Sequence, residues 1–242
     1  MWERFYGVFD GARFERRSDL IVALLPAFPI PQCNGPWVVE DSQSAVDALP
    51  EAVAEVEGAG AWPWVQTRVG HERTQQAAVD LGLTHIERIP GMVMRPEEFS
   101  ETHAEIEIAL VGHADTHETN EILAVCFGAP RELFDEFCGG LWSMEEVSWY
   151  IARTDEGIVS TALGLTLDGV TGIFNVVTPP EHRGRGYGSA LTSRAARDGF
   201  DAGSNFAFLQ SSGIGRSVYR KLGFRDVEEY VLLTRPLPVE AA

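Results

Sequence analysis

The stretch that most restricts what this chain can become runs from Ile173 to Ala195. Ile173 to Val177 is an apolar run of strand length, and Pro179 and Pro180 follow it. Neither proline can donate to a sheet ladder, so the strand has to stop there. Three glycines in five residues come next (Gly184, Gly186, Gly188), then Ala190, Leu191 and Ala195 at helical spacing. Strand, glycine loop and helix start together make a geometry that takes a phosphate. Glycines let the backbone close on a ligand, and the unpaired amides of the first helical turn meet it with the positive end of the dipole. The literal pattern, Arg183-x-x-Gly186-x-Gly188, is neither the spaced G-x-G-x-x-G of a dinucleotide fold nor a Walker loop, which needs Gly-Lys-Ser/Thr.

The elements around that stretch come in a definite order. Residues 106–111 read as a strand; 115–127 and 131–137 read as amphipathic helices parted by Gly128-Ala129-Pro130. Residues 148–153, 158–166 and 172–177 read as antiparallel strands, turned at Thr154–Gly157 and at Asp168-Gly169. After the loop and its helix, Phe206–Gln210 is a further strand. Val218-Tyr219-Arg220-Lys221-Leu222-Gly223-Phe224 then closes a helix on Gly223. With the glycine loop and this aliphatic-Tyr-x-x-Leu-Gly-Phe segment in that order, residues 104–236 resemble the GNAT superfamily of acyl-CoA-dependent N-acetyltransferases.

The resemblance implies an α/β (α+β) fold, a mixed and mostly antiparallel sheet flanked by helices. It implies that the strand before the loop splays from its neighbour, freeing backbone groups of Val176, Val177 and Thr178 for a pantetheine arm and thioester carbonyl. The amides of Gly184, Arg185, Gly186, Tyr187, Gly188 and Ser189 would take the pyrophosphate, with Arg183 and Arg185 adding positive charge. Ser212 stands where many relatives place a cofactor-touching Asn and would supply part of that contact. Tyr219 takes the place of the tyrosine that protonates the departing thiolate. The implied activity moves an acetyl group from acetyl-CoA to a primary amine of a small acceptor by direct attack. A catalytically silent acyl-CoA-binding sensor or structural module carries the same loop and stays open beside it. No general base is assigned, and the acceptor stays open among aminoglycoside, polyamine, amino acid and protein amine.

The first hundred residues carry no such loop. Arg13 to Val39 reads as strands broken by turns, 42–59 as a helix, 62–69 as a strand, 72–81 as a helix capped by Gly82, and 86–94 as a strand interrupted at Pro90-Gly91. Ala78-Val79-Asp80-Leu81-Gly82-Leu83 echoes the segment around Gly223, as Met94-Arg95-Pro96 echoes Thr234-Arg235-Pro236. Duplication of an α/β half follows as an expectation. Residues 1–100 would form a degenerate, non-catalytic GNAT-like domain, 97–103 the linker, and 104–238 the catalytic domain, two GNAT-like domains in tandem.

Charge narrows the partners. The net charge of −17 argues against nucleic acid, which asks for a basic face. It is uneven: residues 181–226 hold eight arginines and lysines against four acids, while 101–160 hold thirteen acids and two arginines. The basic stretch suits a polyanionic cofactor, and the acidic one would suit a cationic amine. Cys33, Cys126 and Cys138 lie far apart, suggesting neither a disulfide framework nor a zinc site. His113 and His117 share i, i+4 spacing without H-E-x-x-H and read as a surface pair, so no metal is expected. No signal peptide or membrane span is apparent at the start, which reads as a cytoplasmic protein, a monomer or homodimer.

Overall fold

The computed structural model describes residues 1–236; the side chain of His113 and residues 237–242, including the end of the 104–238 segment, lie outside the described residues. The chain divides into two compact units. One comprises the chain up to Ile89 together with the C-terminal segment from Glu228, the other Pro90–Val227.

In the first unit, α1 (Trp2–Tyr6) precedes strands β1 (Arg13–Arg17), β2 (Leu20–Leu24) and β3 (Gly35–Val38), helix α2 (Gln43–Gly58), β4 (Trp64–Arg68) and α3 (Glu72–Asp80). Helix α2 starts where Ser42 accepts from the Ala45 N–H at 3.1 Å, a side-chain cap for an otherwise orphaned amide. Its apolar stripe, Ala45, Leu49, Val53 and Val56, is buried. Ala45, Leu49 and Val53 meet Val38, Val65, Ala78, Leu83, Val231 and Leu233 in one core. Val231 and Leu233 belong to the last strand, β11 (Arg225–Thr234), which pairs antiparallel with β4 from Tyr230↔Arg68 to Thr234↔Trp64. The strand that ends the chain therefore completes the sheet of the N-terminal unit.

The second unit receives a segment from the N-terminal half in return. Strand β5 (His85–Met94) runs unbroken through Pro90, where an interruption was expected. The missing N–H does no harm there, because pairing with β10 (Phe206–Gln210) runs only from Gly91 to Met94. The Pro90 carbonyl accepts from the Ser211 N–H at 3.0 Å. Then come β6 (Glu107–Leu110), helices α4 (Thr116–Phe127) and α5 (Arg131–Leu141), and strands β7 (Val147–Thr154), β8 (Gly157–Leu167) and β9 (Val170–Val177). Helix α6 (Tyr187–Asp201), β10 and α7 (Arg216–Leu222) follow. The sheet order is β5-β10-β9-β8-β7-β6, antiparallel except between β9 and β10.

The sequence boundary at 97–103 falls inside this unit, since Ser100 bonds back to the Leu222 carbonyl at 2.9 Å and Thr102 donates to Ser193 of α6 at 3.1 Å. One sheet face carries a core of Tyr150, Ala152, Ile173, Leu191, Ala195 and Leu209 under α6. The other face packs Ile151 and Ile158 against Ile122 of α4, with Cys126 and Val177 at the margin.

Candidate active site

The site begins where two parallel strands part. β9 and β10 pair only at Val170–Gly172 with Phe206–Phe208. Beyond that fork β9 runs on to Val177 with its β10 side unmatched in the sheet register. A bulge then turns the strand. Leu163 of β8 opposes Phe174 but Thr161 opposes Val177, so β9 carries an extra residue. Asn175 absorbs it at φ 51, a left-handed conformation that asparagine tolerates better than most residues. The bulge resets the alternation of faces: Ile173 and Val176 pack toward the α6 core, and Val177 joins the α4 side. Ser160, buried on β8, donates to the Val177 carbonyl at 2.8 Å and meets the Thr178 hydroxyl at 2.8 Å. That carbonyl is therefore committed to β8.

The loop after β9 opens α6. Arg183 folds back, its Nε donating to the Thr178 carbonyl at 2.9 Å. Gly184 and Gly186 adopt φ 79 and 82, where only glycine rests without strain, although open space surrounds both. Gly188 is different: a Cβ there would lie 3.5 Å from Val176 and 3.6 Å from Thr178, so the helix start packs on the end of β9. The first helical bond is Ala190 N–H to the Gly186 carbonyl at 3.0 Å, leaving the amides of Tyr187, Gly188 and Ser189 without helical acceptors. Thr102 meets the Ser189 hydroxyl at 2.9 Å. Nδ1 of His182, beside the loop, is buried without a hydrogen-bond partner.

Charge around the loop is narrower than the sequence suggests. Arg194 pairs with Asp198 at 2.9 Å, Arg216 with Asp226 at 2.8 Å, and Arg225 with Glu98 at 3.0 Å. Arg197 pairs with Glu101 and Arg220 with Asp226. Among the described residues no carboxylate pairs with Arg183 or Arg185. Those two exposed guanidinium groups, with the left-handed glycines and the free amides, fit a pyrophosphate.

Tyr219 lies on α7, its ring edge-on to Phe224 at 6.1 Å between centroids. Gly215 makes room for it, since a Cβ there would stand 2.8 Å from Tyr219 Cε2. Burial pushes the phenol up to about 12, so it stays protonated across the physiological range. Ser212 accepts from the Gly215 N–H at 3.2 Å, which commits one lone pair to its own turn.

Three carboxylates of the acidic segment are occupied internally. Asp115 pairs with Arg153 at 2.6 Å. Glu118 accepts from the Ile158 N–H at 2.6 Å. Asp135 holds Arg131 at 2.6 Å and Asn120 at 2.8 Å. Among the described residues no group of three or more His, Cys, Asp or Glu could hold a metal ion. Ser160 and Asn175 escaped the sequence reading; an asparagine inside an apolar strand run was the available signal for the bulge.

A forked parallel pair feeding a glycine loop at a helix start is the architecture of the GNAT fold, and nearly the whole chain aligns with solved structures of that fold. The structure is similar to a GCN5-related N-acetyltransferase from Kribbella flavida, with 19% identity, 97% of this chain and 93% of that one covered, and a TM-score of 0.70. It is similar to a GCN5-related N-acetyltransferase from Sphaerobacter thermophilus, with 21% identity, 93% and 76% covered, and a TM-score of 0.67. A conserved protein from Staphylococcus epidermidis aligns at 13% identity over 96% of both chains, with a TM-score of 0.67. Residues 145–226 match the family model of the acetyltransferase (GNAT) domain. No curated protein matches the chain.

Proposed function

We propose that the protein is an N-acetyltransferase that moves an acetyl group from acetyl-CoA to the primary amine of a small acceptor by direct attack. The observation that carries this reading is the β9–β10 fork running into the left-handed glycine loop. Amides from Gly184 to Ser189 hold the pyrophosphate, and Arg183 and Arg185 add charge. Val176, Val177 and Thr178 line the pantetheine arm, and a strand amide near Val177 supports the oxyanion as it develops. Bound acetyl-CoA supplies the activated thioester.

The neutral amine attacks the carbonyl carbon, the C–N bond forms and the C–S bond breaks. The departing thiolate takes the proton of Tyr219, which the partly buried phenol still carries at neutral pH, and the proton shed by the acylated nitrogen returns Tyr219 to its phenol through solvent. Holding amine and thioester in line lowers the barrier by proximity. The N-terminal unit, which has no glycine loop after a strand, is a degenerate GNAT-like partner without chemistry of its own. Among the described residues no helix is long and apolar enough to cross a membrane.

Calorimetric titration with acetyl-CoA tests the loop. Micromolar binding is expected, and Gly186→Glu should abolish it by straining the left-handed position and placing a carboxylate in the phosphate cradle. Unchanged affinity in that variant would remove the loop from the site. Binding without transfer to any amine would favour the silent-module reading.

A further inference from the structure

The acceptor can be narrowed from the floor of the fork. Phe174 and Phe208 meet edge-to-face, with ring centroids 5.7 Å apart and planes at 82°. Both are half-buried. They lie over Gly172, the last residue of β9 that still pairs with β10. A Cβ on Gly172 would stand 2.5 Å from Phe174 Cε2 and 3.1 Å from Phe208 Cε1. The missing side chain is what lets two rings lie across the strands where these diverge.

Sheet alternation fixes the side of this floor. Ile173, Ala207 and Leu209 belong to the core under α6, so Phe174 and Phe208 project from the opposite face. That is the face of Val177, whose own neighbours Ile122 and Cys126 are apolar. An acceptor reaching the acyl end from this side passes aromatic and aliphatic groups.

Three acids on or beside α4 and α5 are not available to a polycation. The carboxylates of Asp115, Glu118 and Asp135 already hold Arg153, the Ile158 amide, Arg131 and Asn120. Drawing them toward a substrate would break bonds that hold α4 and α5 in place. An aromatic amine gains edge-to-face contact with the two rings and gives up little hydration.

We infer that the acceptor is a primary amine on a small apolar, aromatic skeleton, an arylalkylamine in class, seated on Phe174 and Phe208. The inference rests on the acetyltransferase reading, and the test separates the two. With the full-length protein, 2-phenylethylamine and spermidine are titrated calorimetrically in the presence of coenzyme A, and both are assayed for thiol release at saturating acetyl-CoA. Phenylethylamine should bind and should turn over with a kcat/KM at least about 10-fold above that of spermidine, the scale on which apolar pockets discriminate.

Phe208→Ala should raise the KM or Kd for phenylethylamine by about 10-fold and leave acetyl-CoA affinity unchanged, with Phe208→Leu falling between. The Leu variant keeps the apolar volume, so it guards against a misfolded Ala variant. Preference for spermidine, absence of phenylethylamine binding, or unmoved constants in both variants would overturn the inference. Phenylethylamine binding that is sensitive to Phe208, without thiol release, would uphold the aromatic floor and overturn the acetyltransferase reading instead.

Discussion

At the scale of single residues, Tyr219 carries the sharpest chemical claim. Its phenol is pushed up to about 12 by burial, against about 10 for an unperturbed tyrosine. A raised folded pKa favours the protonated form. The associated stability is therefore complete below about pH 10 and fades between there and about 12, outside any working range. Tyr219 should add no alkaline limb to the rate profile below about pH 10, so a limb near neutrality would belong to another group. Tyr219→Phe keeps the ring against Phe224 and removes only the hydroxyl. It should lower kcat by about 10²-fold, the lower end for general acid catalysis, while acetyl-CoA affinity measured by calorimetry stays level. Equal losses in both would reduce Tyr219 to packing. Glu118 makes the contrasting case: it lies on a helix that could line an acceptor site, yet its carboxylate is a bracket for the Ile158 amide.

At the scale of elements, the order of strands and helices in residues 104–236 was legible because its signals are local. Pro179 and Pro180 stop β9, glycines mark the loop, and apolar spacing marks α6. The partners of β7, β8 and β9 were legible from their short turns, but partners distant in sequence were not, because a strand's own residues specify which face is apolar and not which neighbour it joins. Hence β5 passing through Pro90 and β11 pairing with β4 emerged only in three dimensions. The neutralised arginines of residues 194–225 escaped for the same reason, since their carboxylates come from other elements or other turns. The bulge at Asn175 is the element-scale feature on which the site depends most. Asn175→Gly should keep acetyl-CoA binding, because glycine reaches φ 51 freely. Asn175→Val should weaken binding by about 10-fold or more, since a β-branched residue in that region costs about 1–3 kcal/mol and pulls β9 back toward regular alternation. Calorimetric titration of both variants checks this; equal affinities would mean that the bulge positions nothing.

At the scale of the molecule, the two units are not consecutive stretches of sequence. The chain's last strand serves the N-terminal unit: Thr67 donates to the Val231 carbonyl at 2.9 Å, and Thr234 donates to the Pro63 carbonyl at 2.7 Å. Leu233 is fully buried in the core formed by α2, α3 and β4. The C-terminal unit correspondingly owns Pro90–Met94, with Met92 and Met94 buried in its core. A substitution nine residues from the C-terminus, far from Val38 or Leu49 in sequence, should therefore act on the N-terminal core. Leu233→Ala should cost about 2–5 kcal/mol, the range for emptying a fully buried leucine site. By hydrogen exchange, α2 and β4 should lose protection, because their core has lost a member. The amides of α6, whose core under β7–β9 contains no residue of β11 beyond Val227, should keep most of theirs. Loss of protection in α2 alone would identify the N-terminal unit as a separate cooperative unit completed by the C-terminal strand. Equal loss in α2 and α6 would instead mean that the exchanged strands make both units fold as one, and the division at Ile89 and Glu228 would describe geometry without describing stability.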